Sequence, residues 1–119
     1  APFHPLAQQS HLTLEDLIQY PSLLPAAQTY TTQITLAEFE KQGIKPKITM
    51  SNNPLESIRM LASIGLGWSV LPKTMINQDL KQLDIDLVMH RQLGMVWHPG
   101  RTQSKAAEAL VSLMKQHLA

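Results

Sequence analysis

The sequence predicts an α/β fold, a parallel-rich sheet with flanking helices, on three observations. Short apolar runs alternate with helical repeats in the order strand, helix, strand, helix, strand, which builds a parallel sheet with helices packed on it. The stretch from Asn53 to Pro72 reads as a capped helix that stops on glycine and feeds directly into a buried strand. Finally, the two strand-to-helix junctions, Leu24 to Thr32 and Ser51 to Asn53, are polar and uncharged and must lie at the carboxyl end of such a sheet.

Thr13, followed by Glu15 and Asp16, opens a short helix through Leu17 and Ile18 that ends before Tyr20-Pro21, because the residue before a proline disfavours helix. Ser22 to Leu24 is a short strand. Pro25 to Tyr30 is a loop, followed by a helix that carries Ile34, Leu36 and Phe39 and ends at Gly43. Thr32 and Thr35 both offer a cap for it, and Thr35 with Glu38 makes the better capping box. Lys47 to Met50 alternates as a strand should. Asn53 is then an N-cap, with Pro54 in the first helical position, Glu56 placed to close a box, and Leu55, Ile58, Leu61 and Ala62 at helical spacing. Gly65 ends this helix and Trp68 to Leu71 is the next strand. Lys73 to Asn77 is a helical turn, Asp86 to His90 and Leu93 to Trp97 are strand-like, and Ser104 to Leu118 is a helix with Ala107, Leu110, Val111, Met114 and Leu118 on one face.

Composition narrows the class. With 119 residues and 44% hydrophobic content the chain can bury one core but is too short for two full domains. Lys and Arg total 10 against 9 acids, and the bases are scattered, so the segment itself has no stripe for phosphate neutralisation and is not predicted to bind DNA. The absence of cysteine excludes disulfides and thiol catalysis and is compatible with a reducing cytoplasm. No apolar run approaches the roughly 20 residues needed to cross a bilayer.

No enzyme motif stands out. His4, His11, His90, His98 and His117 show no i,i+4 pair and no metalloprotease arrangement, so neither a metal site nor a cofactor is expected. Ser69 lacks a nucleophile elbow, since Leu71 stands where a second glycine is needed. Asp84 and Asp86 alternate with Leu83, Ile85 and Leu87, the pattern of a solvated strand face. Gly65 and Gly67 follow a helix and precede a strand, the reverse of the dinucleotide fingerprint, and so serve a tight helix-to-strand turn. Trp68 and Trp97, with apolar neighbours, read as core; His98 before Pro99-Gly100 reads as a turn residue, and Arg59 as a surface arginine.

The functional signal lies where two helices start. In an open parallel sheet, ligands bind outside the carboxyl ends of the strands, and the junctions Leu24 to Thr32 and Ser51 to Asn53 fall at that end. Gln28, Thr29, Thr31, Thr32, Ser51, Asn52 and Asn53 offer neutral donors, backed by helix N-termini, a set suited to a small carboxylate. Capping alone explains Asn53 and one threonine, whereas Thr29, Thr31 and Thr32 together exceed what one cap requires.

Three motifs in a fixed order carry a family resemblance: His4-Pro5-Leu6-Ala7, then Ser63-Ile64-Gly65-Leu66-Gly67-Trp68-Ser69-Val70-Leu71-Pro72, then Leu93-Gly94-Met95-Val96-Trp97-His98-Pro99-Gly100-Arg101. Over nearly its whole length the chain resembles the effector-binding domain of LysR-type transcriptional regulators. The resemblance implies a two-subdomain module of the type II periplasmic-binding-protein kind, here incomplete, with the first part of the first subdomain missing. Residues 1–72 would be the second subdomain, with 1–12 as entry segment, and 73–119 would return to the first subdomain and end in its helix. It further implies a small-molecule effector in the cleft between subdomains and a cytoplasmic homo-oligomer, dimer or tetramer in the intact protein. DNA would be bound only through a helix-turn-helix that this chain lacks. By position in the family, Leu24, Pro25, Ala26, Thr31 and Thr32 of the first junction, Asn52 and Asn53 of the second, and Gly67 with Trp68 nearby would contact the effector. The alternative is an extracytoplasmic solute-binding protein of the same two-lobed architecture, which would carry a secretory signal.

Overall fold

The computed structural model describes residues 1–51 and 54–118. Three short parallel strands, β1 (Ser22–Leu23), β2 (Ile48–Met50) and β3 (Trp68–Ser69), form a sheet in the order β2-β1-β3. Ser22 pairs with Ile48 on one side and Trp68 on the other, and a register irregularity separates Ser22 from Leu23 along β2. There the Lys47 carbonyl accepts from both the Ser22 amide (3.0 Å) and the Ser22 hydroxyl (2.8 Å).

Helix α1 (Leu14–Ile18) precedes β1, α2 (Tyr30–Lys41) links β1 to β2, and α3 (Leu55–Ser63) links β2 to β3. The two crossovers travel in opposite directions across the sheet, and right-handed connections then place their helices on opposite faces. The core divides accordingly. Leu24 and Trp68 pack with Phe39 of α2, Leu14 and Leu17 of α1, Leu6 and Leu12; Leu23 packs on the other side with Ile58 and Ala62 of α3. Successive residues Leu23 and Leu24 thus anchor opposite layers, as the period of two in extended chain requires.

Helix starts and stops follow local chemistry. The Thr13 and Asp16 side chains form the reciprocal capping box of α1. Gly43 and Gly65, both at positive φ, follow α2 and α3. Gly67 is needed for closeness instead: a Cβ there would run into the Pro21 carbonyl, which accepts the Trp68 amide at 3.1 Å. Helix α2 departs from expectation. Its cap is Thr29, whose hydroxyl oxygen accepts from the Thr32 amide, so the helix begins inside the stretch expected to be loop. Thr32 and Thr35 are fully buried instead, donating to the carbonyls of Pro25 and Thr31, each at 2.8 Å. Pro54 stands one position before α3 and not within it; Asn53, expected to cap, lies outside the described residues. Glu56 is engaged by Arg59 (Nε to Oε1, 2.8 Å), whose hydrogen bond holds the carboxyl below the usual carboxylate range.

Beyond β3 the chain makes a 3-10 turn at Lys73–Met75, an extended stretch, and α4 (Lys105–Leu118), whose start is capped by Ser104. The strands expected at Asp86 to His90 and Leu93 to Trp97 do not form. Between 83 and 90 the burial alternates as a strand's would, yet the one ladder contact is an isolated parallel bridge from Leu12 to Ile85. The segment joins neither edge strand of the sheet, and an extended stretch without a ladder partner leaves its amides to water. Trp97 is likewise not core: it is 56% exposed, against 5% for Trp68, and borders a shallow apolar pocket with Ala107, Leu110, Val111 and Met114 of α4. His98 does sit in a turn, its Nδ1 accepting from the Gly100 amide.

Candidate functional site

The order β2-β1-β3 reverses direction at β1 and β3, and at such a switch point the flanking loops diverge and leave a crevice outside the carboxyl ends of the strands. A trough of about 740 Å³ runs along β3, reaching the start of α2 at Thr31 and the turn past the carboxyl end of β3. One part of its wall is the sheet edge and α2, including Thr31, Gly67, Trp68, Ser69 and Val70; another is the Lys73–Met75 turn and the extended residues 80–93; a third includes His4 and Leu6.

Trp68 is held with its plane nearly parallel to the Phe39 ring (13°, centroids 5.6 Å apart) and its indole N–H donating to the Leu17 carbonyl at 2.8 Å. It is a rigid floor. Ser69 donates to the Leu23 carbonyl at 2.6 Å, which ties β3 to β1 at the carboxyl end. Thr31 is 8% exposed, and among the described residues its hydroxyl makes no hydrogen bond. His4 is buried, its Nδ1 accepting from the Leu6 amide and its ring lying edge-on to Tyr20 at 5.0 Å. Burial holds its imidazole below the ordinary histidine range.

The structure brings Thr31, Gly67 and Trp68 to one trough. Leu24, Pro25 and Thr32 do not line it: they are fully or nearly fully buried, with the Thr32 hydroxyl spent on Pro25, and Ala26 is half-buried and also outside the lining. Asn52 and Asn53 lie outside the described residues. Sequence reasoning passed over His4, Ser69 and the basic residues of the second wall. The motif around His4 was visible, but nothing in its spacing indicated that it folds against β3. Among the described residues no three His, Asp or Glu side chains gather closely enough to hold a metal ion, and no helix is long and apolar enough to cross a membrane.

Comparison with known proteins agrees with this architecture. In solved structures, the PA01 protein of Pseudomonas aeruginosa, assigned to the LysR family, superposes with a TM-score of 0.65 at 22% identity, covering 99% of this chain and 43% of that one. HinK, a LysR family transcriptional regulator from the same organism, gives 0.64 at 21% identity, covering 99% and 42%. Among curated sequences, the protein named "Probable RuBisCO transcriptional regulator" in Trichormus variabilis is 29% identical over 116 residues, 90% of this chain and 34% of that protein. The HTH-type transcriptional regulator TtuA of Agrobacterium vitis is 25% identical over 72 residues, 59% of this chain and 24% of the relative. The chain thus spans between a quarter and a third of the length of these relatives. The profile of the LysR substrate binding domain matches residues 1–119, the whole chain, which therefore belongs to the LysR substrate-binding domain family.

Proposed function

We propose that this chain is the effector-sensing portion of a LysR-type DNA-binding transcriptional regulator, and that it binds a small carboxylate-bearing metabolite at the carboxyl end of β1 and β3. In this reading residues 1–72 are the second subdomain, 73–119 return to the first, and the intact protein works in the cytoplasm as a homo-oligomer. DNA contact belongs to another part of that protein, since this segment carries 10 basic and 9 acidic residues with no reading helix.

The observation that carries the reading is that Thr31, a hydroxyl in the first turn of α2 after β1, stands on the wall of the trough beside β3. The helix start adds a positive dipole end, and a buried neutral donor favours an anionic oxygen without a fixed counter-charge. Leu24, Pro25 and Ala26 shape the loop before α2, Thr32 pins it, Trp68 and Gly67 set the floor, and Asn52 and Asn53 belong to the second junction by family position.

The test separates the two threonines. Calorimetry against a panel of small carboxylates should show Thr31→Val weakening the best binder by about tenfold or more, about 1.4 kcal/mol, with the melting temperature nearly unchanged. Thr32→Val should lower the melting temperature instead. Wild-type affinity in Thr31→Val would remove the ligand from this junction.

A further inference from the structure

The trough is lined by His4, His90, Lys73, Lys81 and Arg91, and by no aspartate or glutamate. In a chain with nearly equal numbers of acids and bases this segregation is a property of the fold. It has a visible cause. Leu83, Ile85 and Leu87 turn inward as half-buried lining, and the same alternation sends Asp84 and Asp86 outward, where Asp84 accepts from the His11 amide at 2.9 Å. Lys81 and Arg91 flank that alternating stretch, and Lys73 begins the turn just past β3. The ion pairs among the described residues are Lys41 with Glu38 and Arg59 with Glu56, so none of the three trough cations has a carboxylate oxygen within 4.0 Å among those residues. A cleft lined by one sign of charge over low-dielectric walls focuses its field on a ligand of the other sign.

We propose that the trough selects an effector bearing at least two negative charges, with Lys73, Lys81 and Arg91 as a second anchor beside the Thr31 junction. The inference rests on the effector-binding reading and adds the ligand's charge class to it. A monocarboxylate satisfies the neutral donors of α2 alone. A polycarboxylate or a phosphate-bearing molecule also reaches the basic wall, and the shared chemistry is a multiply charged oxyanion. Ammonium and guanidinium groups both serve here, Arg91 as a planar fork for two oxygens and the lysines as compact charges.

The experiment is an amide-resolved NMR titration of the full chain with citrate, pyrophosphate and acetate at matched ionic strength. It is repeated on Thr31→Val and on the triple variant Lys73→Gln, Lys81→Gln, Arg91→Gln, whose side chains are solvent-exposed in the fold. Citrate or pyrophosphate should saturate with shifts at residues 72–74, 80–82 and 90–92 and bind at least about tenfold more weakly to the triple variant, while acetate binds both alike. Which of the two polyanions binds more tightly identifies the carboxylate or the phosphate source. If the triple variant binds both polyanions as the wild type does, or if acetate matches them in the wild type, the inference falls. Loss of binding in Thr31→Val with an unaffected triple variant sinks only this inference. Loss in the triple variant with an unaffected Thr31→Val sustains it and removes the Thr31 anchor.

Discussion

The layer around β1 and the segment from residue 83 to α4 use similar residues to opposite effect. In the first, Leu23, Leu24, Phe39, Ile58 and Trp68 are each at most 5% exposed. In the second, Leu93, Val96 and Leu118 are at least 75% exposed, and α4 contains no buried residue although its apolar spacing is regular. Hydrophobic pattern specifies which face could be buried; burial itself needs a second layer, and only the first region has one on each side. A strand is the sharper case, because its backbone as well as its side chains waits for a neighbour. The alternation from 83 to 90 survives as alternating burial, while the hydrogen-bonded ladder shrinks to the single bridge with Leu12.

The strongest way to break this contrast is to delete one side chain from each region. Phe39→Ala removes a 1% exposed ring stacked on Trp68 and should cost about 3 to 5 kcal/mol of unfolding free energy in urea titrations. Val96→Ala, at a site 97% exposed, should stay within about 0.5 kcal/mol of wild type. Comparable losses in both would mean that residues 93–97 are covered in solution.

A smaller effect is expected at Gly67. Gly67→Ala forces a methyl against the Pro21 carbonyl, the acceptor that joins β3 to β1, and overpacking of this kind costs about 1 to 3 kcal/mol. Hydrogen exchange at the Trp68 amide should speed up in this variant. Gly94→Ala is the matching control in the other region, since nothing lies within 4 Å of a Cβ there, and its stability should hardly change.

Much of the first region was legible in the sequence, and the reasons are local. Thr13 with Asp16, Gly43 and Gly65 are chemical punctuation, readable without knowing the fold. The α2 start was misjudged because threonine serves equally as cap, as buried β-branched filler and as back-bonding hydroxyl. Which role each plays depends on the Pro25 carbonyl and the sheet, not on sequence spacing. The site was half legible for the same reason. Hydroxyls at a strand-to-helix junction can be read from the chain, but the basic wall is assembled from residues 73, 81 and 91 only after folding lays the second extended stretch beside β3.

Thr32→Val sharpens that distinction within the first region. It keeps the shape of a fully buried side chain and deletes the hydroxyl that donates to Pro25, leaving a buried carbonyl to find another partner; about 1 to 2 kcal/mol should be lost. Thr31→Val should lose much less, because its hydroxyl has no partner among the described residues. Equal losses would show that Thr31 is structural as well.

The smallest expected effect is one of pH. Burial lowers the folded pKa of His4 below the ordinary histidine value of 6.5. The unfolded chain therefore binds the proton more readily, so unfolding is favoured as pH falls from about 6.5 toward the lower folded value, and the contribution is fully present above 6.5. Protonation would also require Nδ1 to give up the Leu6 amide, its acceptor role at the start of the 3-10 turn at Pro5–Gln8. Urea midpoints measured from pH 8 to pH 5 should drop more steeply below 6.5 in the wild type than in His4→Asn, which retains a side-chain acceptor for the turn but does not titrate. If the two profiles run parallel, the imidazole is not held neutral by the fold and the packing of the entry segment against Tyr20 is looser than the ring geometry implies.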